Sequence, residues 1–360
     1  MFSTFFLILH YLPNDMTFSS ALHIAGANDK MNIVDFSFDP EQKYTFWSGI
    51  TGGFFLALAY FGTDQSQVGR YLSGKSVRES QMGLIMNGLL KVPMQFFILL
   101  TGVMVFVFFQ FNPVPLNFNP NNKTVIENSK YKKEYQALEN KLNALSEDKK
   151  VINLLYIDQL NQDYDNPTLR KELVALSNKE KDLRDRAKDI ISKADPDSET
   201  NDKDYVFFHF VLNYLPKGLI GLLLAVILSA AMSSTASGLS ALASTTAIDI
   251  YKRNLKTEKS ETHYLNATKF FTLMWGVIAI LFACIGTLFE NLIQLVNIIG
   301  SIFYGTVLGI FLVGFYIKKV QSQAVFYSAV ISQITIFIIY YFAIFIYPRK
   351  KKKLGYLWLN

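Results

Sequence analysis

Apolar residues run through this 360-residue chain in long blocks, with polar residues gathered between them. No charged residue occurs at 92–122, 218–248, 271–289, 291–317 or 320–348. About 20 such residues in helical form cross a hydrocarbon layer of roughly 30 Å, and a helix satisfies its own backbone while doing so. The pattern predicts a short apolar start at 1–12 and spans at 44–63, 80–111, 206–248, 265–289, 291–317 and 321–347. Residues 354–360 read as the first turns of one more helix. The expected class is therefore all-α and polytopic.

Between these blocks the pattern changes character. Residues 123–204 hold 16 Lys/Arg and 18 Asp/Glu in 82 positions, or 41% charged, against 11% in the rest of the chain. Tyr131, Tyr135, Leu138, Leu142 and Leu145 recur at spacings of four and three, giving one apolar stripe. Asn166-Pro167 makes a turn, and Leu169, Leu173, Leu176, Leu183 and Ile190 form a second stripe. A helical hairpin follows, its two seams facing each other. The chain thus divides into a membrane part at 1–111, a charged helical insert at 112–204 and a second membrane part at 205–360. The insert reads as a solvated structural element or as a partner-binding ectodomain.

Composition adds exclusions. The chain is 51% hydrophobic and 18% charged, with a net charge of +6. The excess positive charge sits in loops between spans, which speaks against nucleic acid as a partner. Arg70, Lys75 and Arg78 follow the span at 44–63. Lys252, Arg253, Lys256, Lys259 and Lys269 follow 206–248, and Lys318 and Lys319 follow 291–317. These connections alternate, so they face the cytoplasm and the insert faces outside. The 286–290 connection, with only Glu290, fits the outside; Arg349 and Lys350 to Lys353 fall there against the rule. No basic stretch precedes the first apolar residues, so the start does not read as a signal peptide. A chain opening in one apolar helix and stopping at the beginning of another reads as a fragment.

Cys284 is the single cysteine, and His10, His23, His209 and His263 are scattered. No HExxH, GxSxG, P-loop or dinucleotide fingerprint is present, so no enzyme is expected and no resident cofactor. Three constellations remain. At 229–246, fifteen of eighteen residues are Ser, Ala, Thr or Gly. They form either a close-packing surface or a source of hydroxyl ligands for a hard cation. Lys91 sits some twelve residues into the 80–111 span, roughly 18 Å along it, ahead of Pro93, which should kink the helix. It either faces a polar cavity or snorkels to the surface. The run at 62–76 places Asp64 and Arg70 in an interfacial loop or a charged latch, and Gly52 and Gly53 loosen the preceding helix.

At these residues a resemblance appears. YFGTDQSQVGRYLSGKSVRESQ at 60–81 resembles the sodium:solute symporter family, in which an aromatic pair precedes D/N-Q-x-x-V-x-R-x-L. AAMSSTASGLSALASTTAIDIYKR at 230–253 resembles that family's A-x-x-S-S…S-T…D-I-Y helix. The likeness covers 1–111 and 205–360 and is greatest to bacterial members with a long extracytoplasmic loop. It implies the inverted-repeat fold described for the leucine transporter, with 44–63, 80–111, 206–240, 265–289 and 291–317 as core helices six to ten. By position it implies that Ala230 (through its carbonyl), Ser233 and Ser234 form the eighth-helix half of a sodium site. Members using a second sodium place a hydroxyl where this chain has Ala236, with Ser237 following. Tyr60 and Phe61 occupy the aromatic pair, Tyr-Trp in sugar carriers, that gates the inner side of the solute. Lys91 aligns with a lysine that contacts sugar in one bacterial member. Asn297 falls near a solute-contacting glutamine of the tenth helix, with Gln294 as the competing match. Asp64, Gln65 and Arg70 belong to the cytoplasmic gate motif.

The resemblance therefore implies sodium-coupled symport of a small solute, such as a sugar or carboxylate, by alternating access. Its partners are the sodium ion, the solute and the bilayer of the cell membrane. The competing reading is a membrane sensor whose helical ectodomain at 112–204 binds a partner.

Overall fold

The computed structural model describes residues 2–32, 34–39, 42, 45–162, 164–254, 258–286 and 292–342. The helix start expected at 354–360, the basic run Arg349–Lys353, Glu290 and Lys256 lie outside the described residues, as does the side chain of Gln294.

Among the described residues every regular element is helical. The chain opens with α1 (Phe2–Tyr11) and α2 (Phe18–Ala27), the latter capped by Thr17, which accepts from the Ser20 amide. A capping box of Thr45 and Ser48 starts α3 (Phe46–Ser48). A π-turn at Gly49–Gly53 follows and leads into α4 (Phe54–Thr63). The loosening expected at Gly52 and Gly53 takes the form of this widened turn, a frequent interruption of helices at functional positions. Asp64 ends α4 and caps α5 (Gln65–Leu72). Next comes α6 (Val77–Phe108), which continues as helix through Pro93.

In the charged region lie α7 (Pro120–Glu127), α8 (Lys132–Asn161) and α9 (Pro167–Ala194). Asn166 caps α9 by accepting from the Thr168 and Leu169 amides, with Pro167 at the first helical position. The chain returns through α10 (Tyr205–Tyr214) and α11 (Lys217–Thr245). The single span expected at 206–248 is thus two helices. Pro216 has no amide hydrogen and forces Leu215 into extended backbone (φ −86, ψ 148), which ends α10. A second π-turn at Thr246–Lys252 closes α11, followed by α12 (Glu261–Gly286), α13 (Leu292–Tyr316) and α14 (Ser322–Tyr341). Among the described residues, five stretches are long and apolar enough to cross a membrane: α6, α11 with its π-turn, Glu261–Cys284, Leu295–Tyr316 and α14. The protein is an all-α, multi-pass membrane protein.

The chain folds into two compact units, whose boundaries fall between α2 and α3, inside α6 and inside α11. One comprises 1–33 and 88–225. Its core joins Ile8 of α1, Ile24 of α2, Met104 and Phe108 of α6, Tyr156 of α8, Leu173 of α9 and Phe210 of α10. The hairpin seam is formed as the stripes predict, with Leu138, Leu142, Leu173, Leu176 and Ile190 buried. A charged knot ties it to the incoming strand of chain. Lys149 Nζ donates to Glu180 Oε2 at 3.0 Å, and Arg184 Nε donates to Glu180 Oε1 at 3.0 Å. Arg184 also donates to the carbonyls of Pro115 and Leu116, both at 3.1 Å. Its guanidinium lies 5.2 Å from the centre of the Phe118 ring.

The other unit comprises 34–87 and 226–360. In it α13 packs on α4 so closely that a Cβ at Gly300 would lie 3.3 Å from Leu56 Cδ1. Against α14, Gln333 Nε2 donates to the Ile302 carbonyl at 3.1 Å, and the Phe303 and Phe337 rings meet edge to face at 5.8 Å. The second π-turn packs on α12: Trp275 Nε1 donates to Thr246 Oγ1 at 3.0 Å, and Tyr251 shares a 3.0 Å hydrogen bond with His263 Nε2.

Two outcomes test the charged knot. Lys149→Ala removes a hydrogen bond to a charged partner in a nearly buried position and destabilises the hairpin by about 1.5–3 kcal/mol, read as faster amide exchange along α8 and α9 in the solubilised protein. The second concerns pH. Burial alone would raise the Glu180 carboxyl, but Lys149 and Arg184 outweigh it and hold the group below the ordinary glutamate value. A lowered folded-state value gives stabilisation that is complete above the ordinary value and lost as pH falls through the lowered one. Protection of the hairpin amides therefore stays level from about pH 8 to 6 and collapses in acid; a decline already complete at about pH 6 contradicts it.

Candidate ion and solute site

The small-residue run lies on α11 as one continuous helix. Ala230, Ser233 and Ser234 stand at spacings of three and four, hence on one face, and all three are exposed. Helical hydroxyls usually bond a carbonyl one turn back, and Ser244 and Thr246 do so with Ala241 and Leu242 at 3.0 and 2.7 Å. Ser233 and Ser234 make no hydrogen bond among the described residues, so both hydroxyl oxygens keep their lone pairs. The Ala230 carbonyl sits within an unbroken helix, where one lone pair serves the helical bond and the second is left for a cation. Ser237 lies one further turn along the same face, while Ala236, without a hydroxyl, faces elsewhere.

The aromatic pair ends α4. Tyr60 and Phe61 are half-buried, their rings 5.2 Å apart and nearly perpendicular. Immediately after them Asp64 spends one carboxylate oxygen on the start of α5, accepting from the Ser66 amide at 2.9 Å and the Ser66 hydroxyl at 2.6 Å. Its other oxygen accepts from the Tyr304 hydroxyl of α13 at 3.4 Å. Tyr71 donates its hydroxyl back to the Phe61 carbonyl. Arg70 is not ion-paired with Asp64; it lines a cleft of about 400 Å³ with Phe61, Gln67, Glu79 and Asn87. The charged latch is thus replaced by a capped turn, because Asp64 is two residues before Ser66 and the nearest unpaired amides outcompete a distant guanidinium. Gln65, the first residue of α5, is exposed.

Lys91 is on α6, fourteen residues from Val77 and about 21 Å along the helix; it is exposed and belongs to the unit that contains the hairpin. Asn297 is half-buried on α13 and belongs with Tyr60, Phe61 and the α11 serines to the other unit. The structure therefore brings Asp64 to Tyr304 and Phe61 to Arg70.

Comparison with known proteins bears on these helices. Residues 194–332 match the model of the sodium:solute symporter family. That segment is similar to the sodium:solute symporter family. It is 33% identical over 66 residues to the human sodium/iodide cotransporter, covering 18% of this chain and 10% of that protein. To the mouse sodium-coupled monocarboxylate transporter 2 it is 36% identical over 70 residues, 19% of this chain and 11% of the relative. To the putative sodium-dependent multivitamin transporter of Drosophila melanogaster it is 34% identical over 61 residues, 17% and 10%. The alignments span only about a tenth of these relatives' length. The symporter match includes all of α11, with Ala230, Ser233 and Ser234, and all of α12 and α13, with Asn297. The gate motif at 60–81 and Lys91 lie outside it.

Tyr304, Gln67, Glu79 and Asn87 were not singled out from the sequence. A signal for Asn87 exists, since it precedes Lys91 by one helical turn in an otherwise apolar stretch. None exists for Tyr304, which meets Asp64 only because α13 packs on α4. Loss of the cap has a defined effect: Asp64→Ala costs about 0.5–2 kcal/mol at the start of α5, whereas Asp64→Asn keeps an accepting oxygen. Amide exchange at Ser66 to Val68 should rise in the alanine variant alone; equal rises in both would show that charge rather than capping matters there.

Proposed function

We propose that the protein is a secondary active transporter of the cell membrane that couples inward movement of sodium to uptake of a small solute by alternating access. The observation carrying this reading is the symporter match across α11, where two serine hydroxyls on one face are left without hydrogen bonds beside a helical carbonyl. Sodium prefers several hard oxygen ligands, and Ala230, Ser233 and Ser234 supply three of the kind it accepts. In this reading sodium binding favours the outward-open state and completes the solute pocket. Solute binding then permits inner opening past Tyr60 and Phe61, whose rings stand directly over the Asp64-capped turn. The fold this implies is the inverted repeat of the leucine transporter, with the hairpin of α8 and α9 on the outer side.

The solute is proposed to be a small anion or a hydroxyl-rich molecule. Two relatives are named for iodide and monocarboxylates, both anions, and the positive charge of Lys91 within an otherwise apolar span suits such a solute. One sodium ion is energetically sufficient. Crossing about 100 mV gains roughly 2.3 kcal/mol, and a tenfold concentration difference adds about 1.4 kcal/mol. The sum of about 3.7 kcal/mol sustains roughly 500-fold accumulation of a neutral solute and less of an anion, which moves against the potential.

Uptake of a panel of radiolabelled sugars, monocarboxylates and inorganic anions into proteoliposomes of the full-length protein, with and without an inward sodium gradient, tests the reading. At least one solute should accumulate only with sodium; accumulation of none overturns it. Ser234→Ala should raise the sodium concentration for half-maximal uptake by about tenfold or more, the equivalent of one charge-assisted ligand. Lys91→Ala should raise the half-saturating solute concentration and leave the sodium dependence nearly unchanged.

A further inference from the structure

α13 and α14 leave a groove between them that contains none of the candidate ion and solute residues. Its volume is about 680 Å³. The inner end is shut by the Gln333–Ile302 hydrogen bond and the Phe303–Phe337 contact. Beyond these the helices part. Gly309 has no neighbouring atom within 4 Å of where a Cβ would stand, and Ala329 and Ser332 on the opposite wall are small. The rest of the lining is mostly aliphatic, with Val313, Ile317 and Val325 towards the mouth, and is interrupted by Thr306, Ser328 and Thr335. Thr335 donates to the Ile331 carbonyl at 2.8 Å, whereas the buried Thr306 hydroxyl has no partner among the described residues. From Gly305 to Ile317 the wall runs twelve residues, about 18 Å. Half of a hydrocarbon layer is about 15 Å. The groove is therefore a largely apolar slot about one leaflet deep.

Its mouth is charged. The turn from α13 to α14 is closed by the Val320 amide on the Ile317 carbonyl at 3.4 Å, with Lys318 and Lys319 exposed between them. Residues 291–348 contain no acidic side chain, and among the described residues neither lysine is in an ion pair. These lysines belong to the alternate connections that face the cytoplasm, the side whose leaflet carries anionic lipid.

We propose that the groove seats one acyl chain of an anionic phospholipid from the cytoplasmic leaflet, with its phosphate held by Lys318 and Lys319. An acyl chain needs no hydrogen-bond partner, matches the slot in length and ends where the slot ends. The phosphate neutralises a pair of charges that nothing on either helix compensates.

The test is native mass spectrometry of the purified full-length protein released from bilayers of equal phosphatidylglycerol and phosphatidylcholine with identical acyl chains. The parent protein should retain phosphatidylglycerol over phosphatidylcholine by about tenfold or more, since each lysine near the surface favours an anionic headgroup. Lys318→Gln with Lys319→Gln should bring the ratio to near one. Gly309→Leu fills the slot while keeping both lysines and should abolish retention; Ala329→Leu does the same from the other wall should the first variant lose its helical circular dichroism or its monodisperse elution. Retention undiminished by either leucine overturns the slot, and a ratio untouched by the glutamines overturns the headgroup contact. Disulfide cross-linking of two copies through Ala329→Cys, in a Cys284→Ser background, would show a helix in the groove and overturn the proposal as well.

Discussion

A peptide group in hydrocarbon finds no water, and one left unpaired costs several kcal/mol. In this chain that constraint dictates where helices run and where they break. The apolar blocks are continuous helix for this reason, and α6 remains helix even through Pro93. Where proline does end a helix, at Pro216, the break lies before Lys217, close to the boundary between apolar and polar sequence. The two π-turns, at Gly49–Gly53 and Thr246–Lys252, loosen the backbone without abandoning its hydrogen bonds. Each lies at the edge of a helix that carries candidate site residues.

Outside the hydrocarbon the same chain uses the opposite economy. The hairpin of α8 and α9 buries a narrow leucine seam and relies on charge to fix its register. Glu180 receives both Lys149 and Arg184, and Arg184 reaches on to the carbonyls of Pro115 and Leu116. A carboxylate so placed is partly desolvated, so its two partners are what make the position tolerable. The arrangement ties two helices of a hairpin to the segment that leads into them. Among the described residues Asn153 is fully buried with neither amide atom partnered, a costly position in this seam.

The candidate site is described by how oxygen lone pairs are spent. Asp64 spends its carboxylate on the Ser66 amide and hydroxyl and on Tyr304, so it holds the turn beneath the aromatic pair rather than a ligand. Ser244 and Thr246 spend their hydroxyls on their own helix. Ser233 and Ser234, a few turns earlier on α11, do not. Ser229, Thr235, Ser237, Ser240 and Thr245 also make no side-chain hydrogen bond among the described residues, so the proposal of Ser233 and Ser234 rests on their place in the symporter match.

Much of this was legible in the residue pattern. Hydrophobic blocks, the two leucine stripes and the Asn166-Pro167 turn are local or periodic features, and local physics settles them: burial of one stripe and satisfaction of one backbone. The candidate ion ligands, by contrast, came from the resemblance to the family's helix motif; the spacing of three and four only puts them on one face. Partners distant in sequence were not visible. That Asp64 meets Tyr304, that Lys149 meets Glu180, and that α13 and α14 part to leave a slot about one leaflet deep all depend on which helices pack together and at what angle. Those choices arise from the summed contacts of many side chains. A linear pattern of apolar and polar positions specifies which faces are buried, and only the packed structure specifies what they are buried against.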